Sequence, residues 1–129
     1  MKIKWSTVFV NDQDKALAFY TETLGFKKKA DFSQGPYRWL TVTSAEDAAG
    51  AELILESNAN PAGKAYQEAV FAQRRPAAQF LVDDVQAEHD RLVAKGVTFT
   101  MPVTKVTGSV IAQLDDTCGN LIQLVQLAW

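Results

Sequence analysis

The sequence predicts an α+β fold built from two βαβββ modules. Two observations favour this fold. The pattern of strand, capped helix, glycine and strand occurs twice at nearly the same spacing, and three strand-like segments follow each helix. The chain has 129 residues, of which 47% are hydrophobic and 22% are charged. This composition is typical of one globular domain, and it argues against disorder and against a fibrous protein.

The first module begins with a short strand that leads into a helix cap. Residues of strand type occupy 5–10, and Asn11 or Asp12 can accept hydrogen bonds from the first N–H groups of a helix. Apolar residues then recur at helical spacing. Gly25 ends the helix, because glycine readily takes the left-handed conformation needed there. The rest of the module is predicted to form three strands, at about 26–33, 37–44 and 51–57.

The second module repeats this plan. A strand over 77–82 precedes Asp83 and Asp84, which supply the helix cap, and Asp83 has capping-box spacing to Gln86. Gly96 ends the second helix in the same way as in the first module. Three strands are again predicted, at about 97–103, 109–115 and 120–126.

A linking helix is predicted between the two modules. Asn60 suits its cap, Pro61 suits its first turn, and Pro76 comes soon after its end. We therefore expect one domain over 1–129, with module 1 at about 1–59, the linking helix at about 60–75 and module 2 at about 76–129.

Charge and cysteine content limit the partners and the compartment. The formal net charge is −2, so the chain lacks the basic surface of a nucleic-acid-binding protein. No apolar run approaches the roughly 20 residues that span a bilayer, and Met1–Ser6 has no signal-peptide core. Cys118 is the single cysteine, which excludes an internal disulfide. We expect a cytoplasmic protein that binds neither nucleic acid nor membrane.

Alternation along the strands separates an aliphatic face from a mixed face in each module. The aliphatic face is expected to pack under the helices, which leaves the mixed face for ligands. Curved on itself, such a face would form a cavity with aromatic walls and a few polar groups, and a planar or cationic ligand would suit it. The predicted ligand-binding residues are Trp5, Tyr37, Trp39, Glu52, Glu56, Gln79, Gln113 and Gln123.

Other reactive side chains have structural interpretations. His89, the single histidine, is predicted to be a partly buried helix residue, and Cys118 a loop residue. The lysines at 27–29 are expected at a solvated strand end, and the arginines at 74–75 near a helix C-terminus.

Six short motifs lie within or at the ends of the predicted elements. They are Val10-Asn11-Asp12, Ala18-Phe19-Tyr20, Leu24-Gly25-Phe26, Val82-Asp83-Asp84-Val85, Lys95-Gly96-Val97 and Asp115-Asp116-Thr117-Cys118-Gly119-Asn120. These motifs resemble those of the vicinal oxygen chelate superfamily of glyoxalase I, bleomycin-resistance proteins and extradiol dioxygenases. The resemblance covers nearly the whole chain. It implies paired βαβββ modules whose curved mixed sheets surround a cleft, with helices on the outer face, and often a homodimer.

The resemblance also implies four metal-ligand positions on the inner strands. Trp5 and Ala77 stand at the two early positions, where neither side chain offers a usable lone pair. Gln123 stands at the last-strand position, and either Glu52 or Glu56 at the fourth-strand position. We therefore expect no cofactor, with a divalent metal as the alternative.

Three functions are compatible with these residues. The sequence favours a metal-free small-molecule binding protein. The alternative is a glyoxalase-like lyase, isomerase or dioxygenase. Such an enzyme would use a diverged metal site built from Glu52 or Glu56 with Gln123, or Glu56 as a general base. A third possibility is a partner-binding role with a filled cavity.

Overall fold

The computed structural model describes residues 1–128, and it confirms the repeated βαβββ plan. The first α-helix continues as a π-helical turn over Phe19–Thr23. In chain order the elements are β1 (Trp5–Val10), α1 (Gln13–Ala18), β2 (Lys27–Gln34), β3 (Tyr37–Thr43), β4 (Glu52–Ser57), α2 (Pro61–Ala72), β5 (Pro76–Leu81), α3 (Val85–Ala94), β6 (Phe99–Val106), β7 (Ser109–Asp115) and β8 (Leu121–Leu127).

The strands form two mixed sheets with the same topology. The first has the order β1-β4-β3-β2 and the second the order β5-β8-β7-β6. In each sheet the first strand of the module pairs in parallel with the last, and the other pairings are antiparallel. The chain divides into two compact units, one ending at Tyr66 and the other beginning at Gln67, so the division falls within α2.

One side of the first sheet is buried. Helix α1 belongs to the same compact unit as this sheet. The buried aliphatic residues of β1, β3 and β4 alternate as the sequence pattern predicts, because successive side chains of a strand point to opposite faces. Helix α1 contacts β4, and Ala16 and Tyr20 from this helical segment are fully buried. The sheet contributes Val8, Val10, Leu40, Val42 and Leu55 to this core.

The second sheet buries the corresponding side of β7 and β8. Helix α3 contacts both strands and contributes Val85 and Leu92. The side-chain Oε1 of Gln126 accepts a hydrogen bond from the backbone N–H of Val85 at 2.9 Å, which satisfies one of the unpaired donors at the start of α3. The sheet residues of this core are Ala112, Leu114, Ile122 and Leu124.

Asp84, and not Asp83, caps α3, so the capping-box prediction for Asp83 was wrong. The backbone N–H of Val82 still bonds the carbonyl of Val125 at 2.9 Å, so the chain leaves the sheet one residue too late for Asp83 to be the cap. The Asp84 carboxylate accepts from the N–H of Ala87 at 3.0 Å. Gln86 donates instead to Asp90.

Replacing the cap of α3 is expected to destabilise the protein measurably. Asp84→Ala removes the acceptor for the Ala87 N–H, and we expect it to lower the free energy of unfolding by about 1 kcal/mol. Asp83→Ala is the matched control, with an expected change within about 0.5 kcal/mol. Urea denaturation of both variants measures the difference, and equal effects would contradict the assignment of Asp84 as the cap.

A buried polar network fills the turn between β7 and β8. The Asp116 carboxylate is fully buried and accepts hydrogen bonds from the N–H groups of Cys118 (2.7 Å) and Asn120 (3.0 Å) and from the Asn120 amide (2.8 Å). Gln67 of α2 donates to the Cys118 carbonyl at 3.0 Å and to Asn120 Oδ1 at 3.3 Å. This network fixes a turn in which Thr117 has a φ of 64°.

Among residues 1–128, no helix is long and apolar enough to cross a membrane.

Candidate functional site

The first sheet has an open face opposite its buried side, and the predicted aromatic and acidic residues share it. The parallel pairing of β1 with β4 aligns Trp5 with Glu52 and Phe9 with Glu56. Thr41 of β3 aligns with Ile54 of β4, and Phe32 of β2 aligns with Trp39. Paired residues point to the same side of a sheet. We define the open face by Trp5, Phe9, Phe32, Tyr37, Trp39, Thr41, Glu52, Ile54 and Glu56.

The aromatic side chains of the open face are unusually accessible. The rings of Trp5 and Trp39 meet edge to face, with centroids 6.3 Å apart and an interplanar angle of 69°. Trp5 is 55% exposed, Phe32 64% and Tyr37 46%. Single exposed hydrophobic residues are normal on proteins, but a group on one sheet face is typical of a binding surface.

Glu52 lies beside Trp5 and is held by its neighbours. It is 8% exposed, and its Oε1 accepts a hydrogen bond from the Thr41 hydroxyl at 2.7 Å. The Lys4 ammonium lies 3.4 Å from Oε2, and Trp5 is the residue that pairs with Glu52 across β1 and β4. The bond from Thr41 first, and then Lys4 and Trp5, hold the pKa of Glu52 below its ordinary value against the opposing effect of burial.

The partners of Glu52 change the interpretation of its burial. The sequence predicts that this mixed face lines a cavity with aromatic walls and a few polar groups. In the structure the ion pair and the hydrogen bonds of Glu52 stabilise its charge locally, so its burial needs no cavity.

Lys4 is a residue of this site that the sequence analysis did not identify. Its ammonium donates to the carbonyls of Ala49 (3.1 Å) and Gly50 (2.7 Å) as well as pairing with Glu52. It precedes β1, so strand alternation says nothing about it, and no local motif marks it. Lys4 therefore ties the segment before β4 to the acid beside Trp5.

Acidification is expected to weaken the fold through Glu52. Because the pKa of Glu52 is lower in the folded chain than its ordinary value of 4.5, its contribution to stability is present above pH 4.5. That contribution is lost as the pH falls through the folded pKa. We expect Glu52→Gln to lose less stability than the wild type between pH 5 and pH 3, as measured by thermal unfolding at each pH. Parallel curves for the two proteins would contradict this.

Glu56 lies at the other end of the same face and differs from Glu52. It aligns with Phe9, is partly exposed, and makes no hydrogen bond or ion pair within residues 1–128. The two acids are thus four residues apart on one strand face. Glu52 is therefore the acid that pairs with Trp5, and Glu56 is the acid that pairs with Phe9.

The predicted glutamines share a face of the second sheet. The register aligns Gln79 with Gln123 and Gln123 with Gln113 across three strands. The Gln123 amide donates to Gln79 Oε1 at 2.8 Å. Gln113 is 7% exposed; it accepts from Thr100 at 2.9 Å and donates to the carbonyl of Arg74 at 3.2 Å, so its bonds are structural.

The metal-ligand positions implied by the family do not fit a metal ion. Trp5 and Ala77 supply no donor atom and the Gln123 amide is bonded to Gln79, so the one carboxylate among the four positions is that of Glu52 or Glu56 on β4. Within residues 1–128 no three His, Cys, Asp or Glu side chains lie where they could hold an ion.

The remaining reactive residues have structural surroundings. His89 is partly buried in α3, with its ring 4.4 Å from the ring of Phe99 and Nδ1 3.1 Å from Asp90. Cys118 lies in the turn before β8, as predicted, and is fully buried there. Lys27, Lys28 and Lys29 are exposed on the edge strand β2.

The two βαβββ modules match the fold of the class that the motifs suggested, and comparison with known families shows the same class. The chain belongs to the Glyoxalase/Bleomycin resistance protein/Dioxygenase superfamily, whose family model matches residues 2–124.

Individual relatives and solved structures cover nearly the whole chain. The uncharacterized protein YurT of Bacillus subtilis (strain 168) is 54% identical over 126 residues, which are 98% of this chain and 99% of YurT. The crystal structure of UcmS2 has a TM-score of 0.84 at 29% identity, covering 97% of both chains. TnmS3, an antibiotic binding protein from Streptomyces sp. CB03234, has a TM-score of 0.78 at 28% identity, covering 99% of this chain and 97% of its own.

Proposed function

We propose that this protein is a metal-free small-molecule binding protein that holds a planar ligand on the open face of its first sheet. The observation that carries the proposal is the edge-to-face pair of the exposed Trp5 and the half-buried Trp39 next to the fixed carboxylate of Glu52. The similarity to an antibiotic binding protein supports the same class of function.

The physical basis of binding is the covering of aromatic surface. A tryptophan side chain buries roughly 150–250 Å² when it is fully enclosed, and ring pairs prefer offset-stacked or edge-to-face contact. A flat ligand against Trp39 would contact the ring and remove water from both surfaces. Because Trp5 meets Trp39 edge to face and pairs with the fixed Glu52 across β1 and β4, the second ring is oriented before the ligand arrives, which lowers the entropy lost on binding.

Two measurements test this proposal. Calorimetric titration with acridine and phenazine, and with 1-adamantanol as a compact non-planar control, is expected to show binding of the planar compounds only. Mass spectrometry after exposure to Ni²⁺, Zn²⁺, Mn²⁺ and Fe²⁺ and gel filtration is expected to show far less than one metal per chain. Near-stoichiometric metal, or equal binding of adamantanol, would contradict the proposal.

We also propose a cytoplasmic homodimer. The single cysteine supports a reducing compartment, and the family resemblance supports the dimer. Light scattering coupled to gel filtration is expected to give twice the chain mass of 14.2 kDa. A mass equal to one chain would contradict the dimer.

A further inference from the structure

The two acids of the open face differ in whether the protein itself already pairs their negative charge. Glu52 already accepts from Thr41 and pairs with Lys4, whose ammonium also binds two backbone carbonyls. Its negative charge is therefore balanced inside the protein. A ligand cation approaching Glu52 would have to share it with Lys4, so little electrostatic attraction remains at this end of the face.

Glu56 is placed differently, beside aromatic rings and without a partner among residues 1–128. Phe9 aligns with it across the β1–β4 pair, and the Phe9 ring meets Tyr66 edge to face at 6.5 Å and 70°. Tyr66 is 61% exposed. A partly exposed carboxylate that shares a sheet face with an aromatic pair is the combination that attracts an organic cation, through charge and through the ring quadrupole.

The first turns of α2 lie close to the Phe9 ring. Gly63 lies against the Phe9 ring, where a Cβ would come within 2.6 Å of a ring carbon. The absent side chain lets the first turns of α2 approach Phe9 closely, one turn before Tyr66. The sequence therefore brings Tyr66 to the same end of the face as Glu56.

The pairing of β3 with β4 stops just before this end of the face. Their paired register ends at Thr41 and Ile54, two residues before Glu56 on β4. The Gln13 amide bonds the carbonyls of Leu55 (2.8 Å) and Arg38 (3.3 Å) between the two strands. The strands are thus joined here through a side chain rather than by direct pairing.

We propose that Glu56 selects ligands that carry a positive charge next to their planar part, whereas Glu52 acts only as a positioning residue for Trp5. This inference rests on the proposed binding of planar ligands to the open face. Glu56 sets the charge class of the ligand, and the two acids have different roles.

The test compares two probes of nearly equal shape and different charge. N-methylacridinium is permanently cationic, and acridine is neutral at pH 8. Dissociation constants are measured by calorimetry at pH 8 for the wild type, Glu56→Gln and Glu52→Gln. We expect the wild type to prefer the cation by roughly three- to tenfold.

The variants separate the two roles. Glu56→Gln is expected to remove the preference for the cation and to leave acridine binding within about twofold of the wild type. Glu52→Gln is expected to weaken both probes by a similar factor and to keep the preference, because it loosens Trp5 without removing the charge that the ligand meets. The preference in the wild type is also expected to shrink at high salt, since partly exposed charges are screened.

The possible outcomes separate a failure of the proposed planar-ligand binding from a failure of the role assigned to Glu56. Binding of neither probe by the wild type contradicts the proposed function. Equal affinity for both probes, or a preference that Glu52→Gln removes and Glu56→Gln keeps, contradicts the inference and leaves planar-ligand binding supported. Retained preference in both variants likewise contradicts the role of Glu56.

Discussion

Replacing Asp116 with alanine is expected to lower the free energy of unfolding by about 3 kcal/mol. The carboxylate is fully buried and accepts from three N–H groups of Cys118 and Asn120 at 2.7–3.0 Å. Its removal would take away the buried acceptor that these three N–H groups share, in a turn where Thr117 already has a left-handed backbone. Asn120 would also lose the bond that orients its oxygen towards Gln67.

Asp115→Ala is the matched control for this change. Asp115 lies in the same turn and its carboxylate accepts from the N–H of Thr117 at 2.7 Å, but this bond is exposed to water. Water can replace the lost acceptor, so we expect a loss of about 0.5–1 kcal/mol. Equilibrium denaturation in urea measures both variants. A loss for Asp116→Ala no larger than that for Asp115→Ala would contradict the structural role of the network.

Trp39→Ala is expected to weaken the binding of acridine by at least about tenfold. The Trp39 ring contacts Trp5 on the open face and aligns with the exposed Phe32 across β2 and β3. Truncation removes one ring and the edge contact that orients the other. Calorimetric titration of the variant against the wild type measures the loss.

Two variants control for effects on folding and on aromatic character. Trp39→Phe keeps a ring and is expected to retain most of the affinity. Tyr37→Phe removes only a hydroxyl from an exposed ring of the same face, so its affinity is expected to stay within about twofold. Unfolding curves of all three confirm that they are folded. Wild-type affinity in Trp39→Ala would exclude the tryptophan pair from the site.

The sequence was sufficient for the fold because local signals agreed with the overall plan. Gly25 and Gly96 have φ values of 95° and 88°, the left-handed backbone that their positions at the helix ends predicted. The π-helical turn over Phe19–Thr23 was not predicted, because the spacing of apolar residues does not distinguish an α-helical turn from the wider π-helical turn. The sequence did not decide which of Asp83 and Asp84 is the N-cap acceptor, because the choice depends on where the chain leaves β5.

The candidate site was predictable only as far as strand alternation extends. Alternation placed Trp5, Trp39 and Glu52 on one face, and the register confirms that placement. It gave no information on which residues bond each acid, because Lys4 lies outside the strands and Thr41 reaches Glu52 across a diagonal. The distinction between Glu52 and Glu56 therefore required the structure.

Calorimetric titration of chelator-treated wild-type protein with acridine tests the central claim most directly. We expect saturable binding without added metal. The heat-capacity change of binding is expected to be negative, because aromatic surface is covered. Absence of binding, or binding that appears only after a divalent metal is added back, would contradict a metal-free aromatic site.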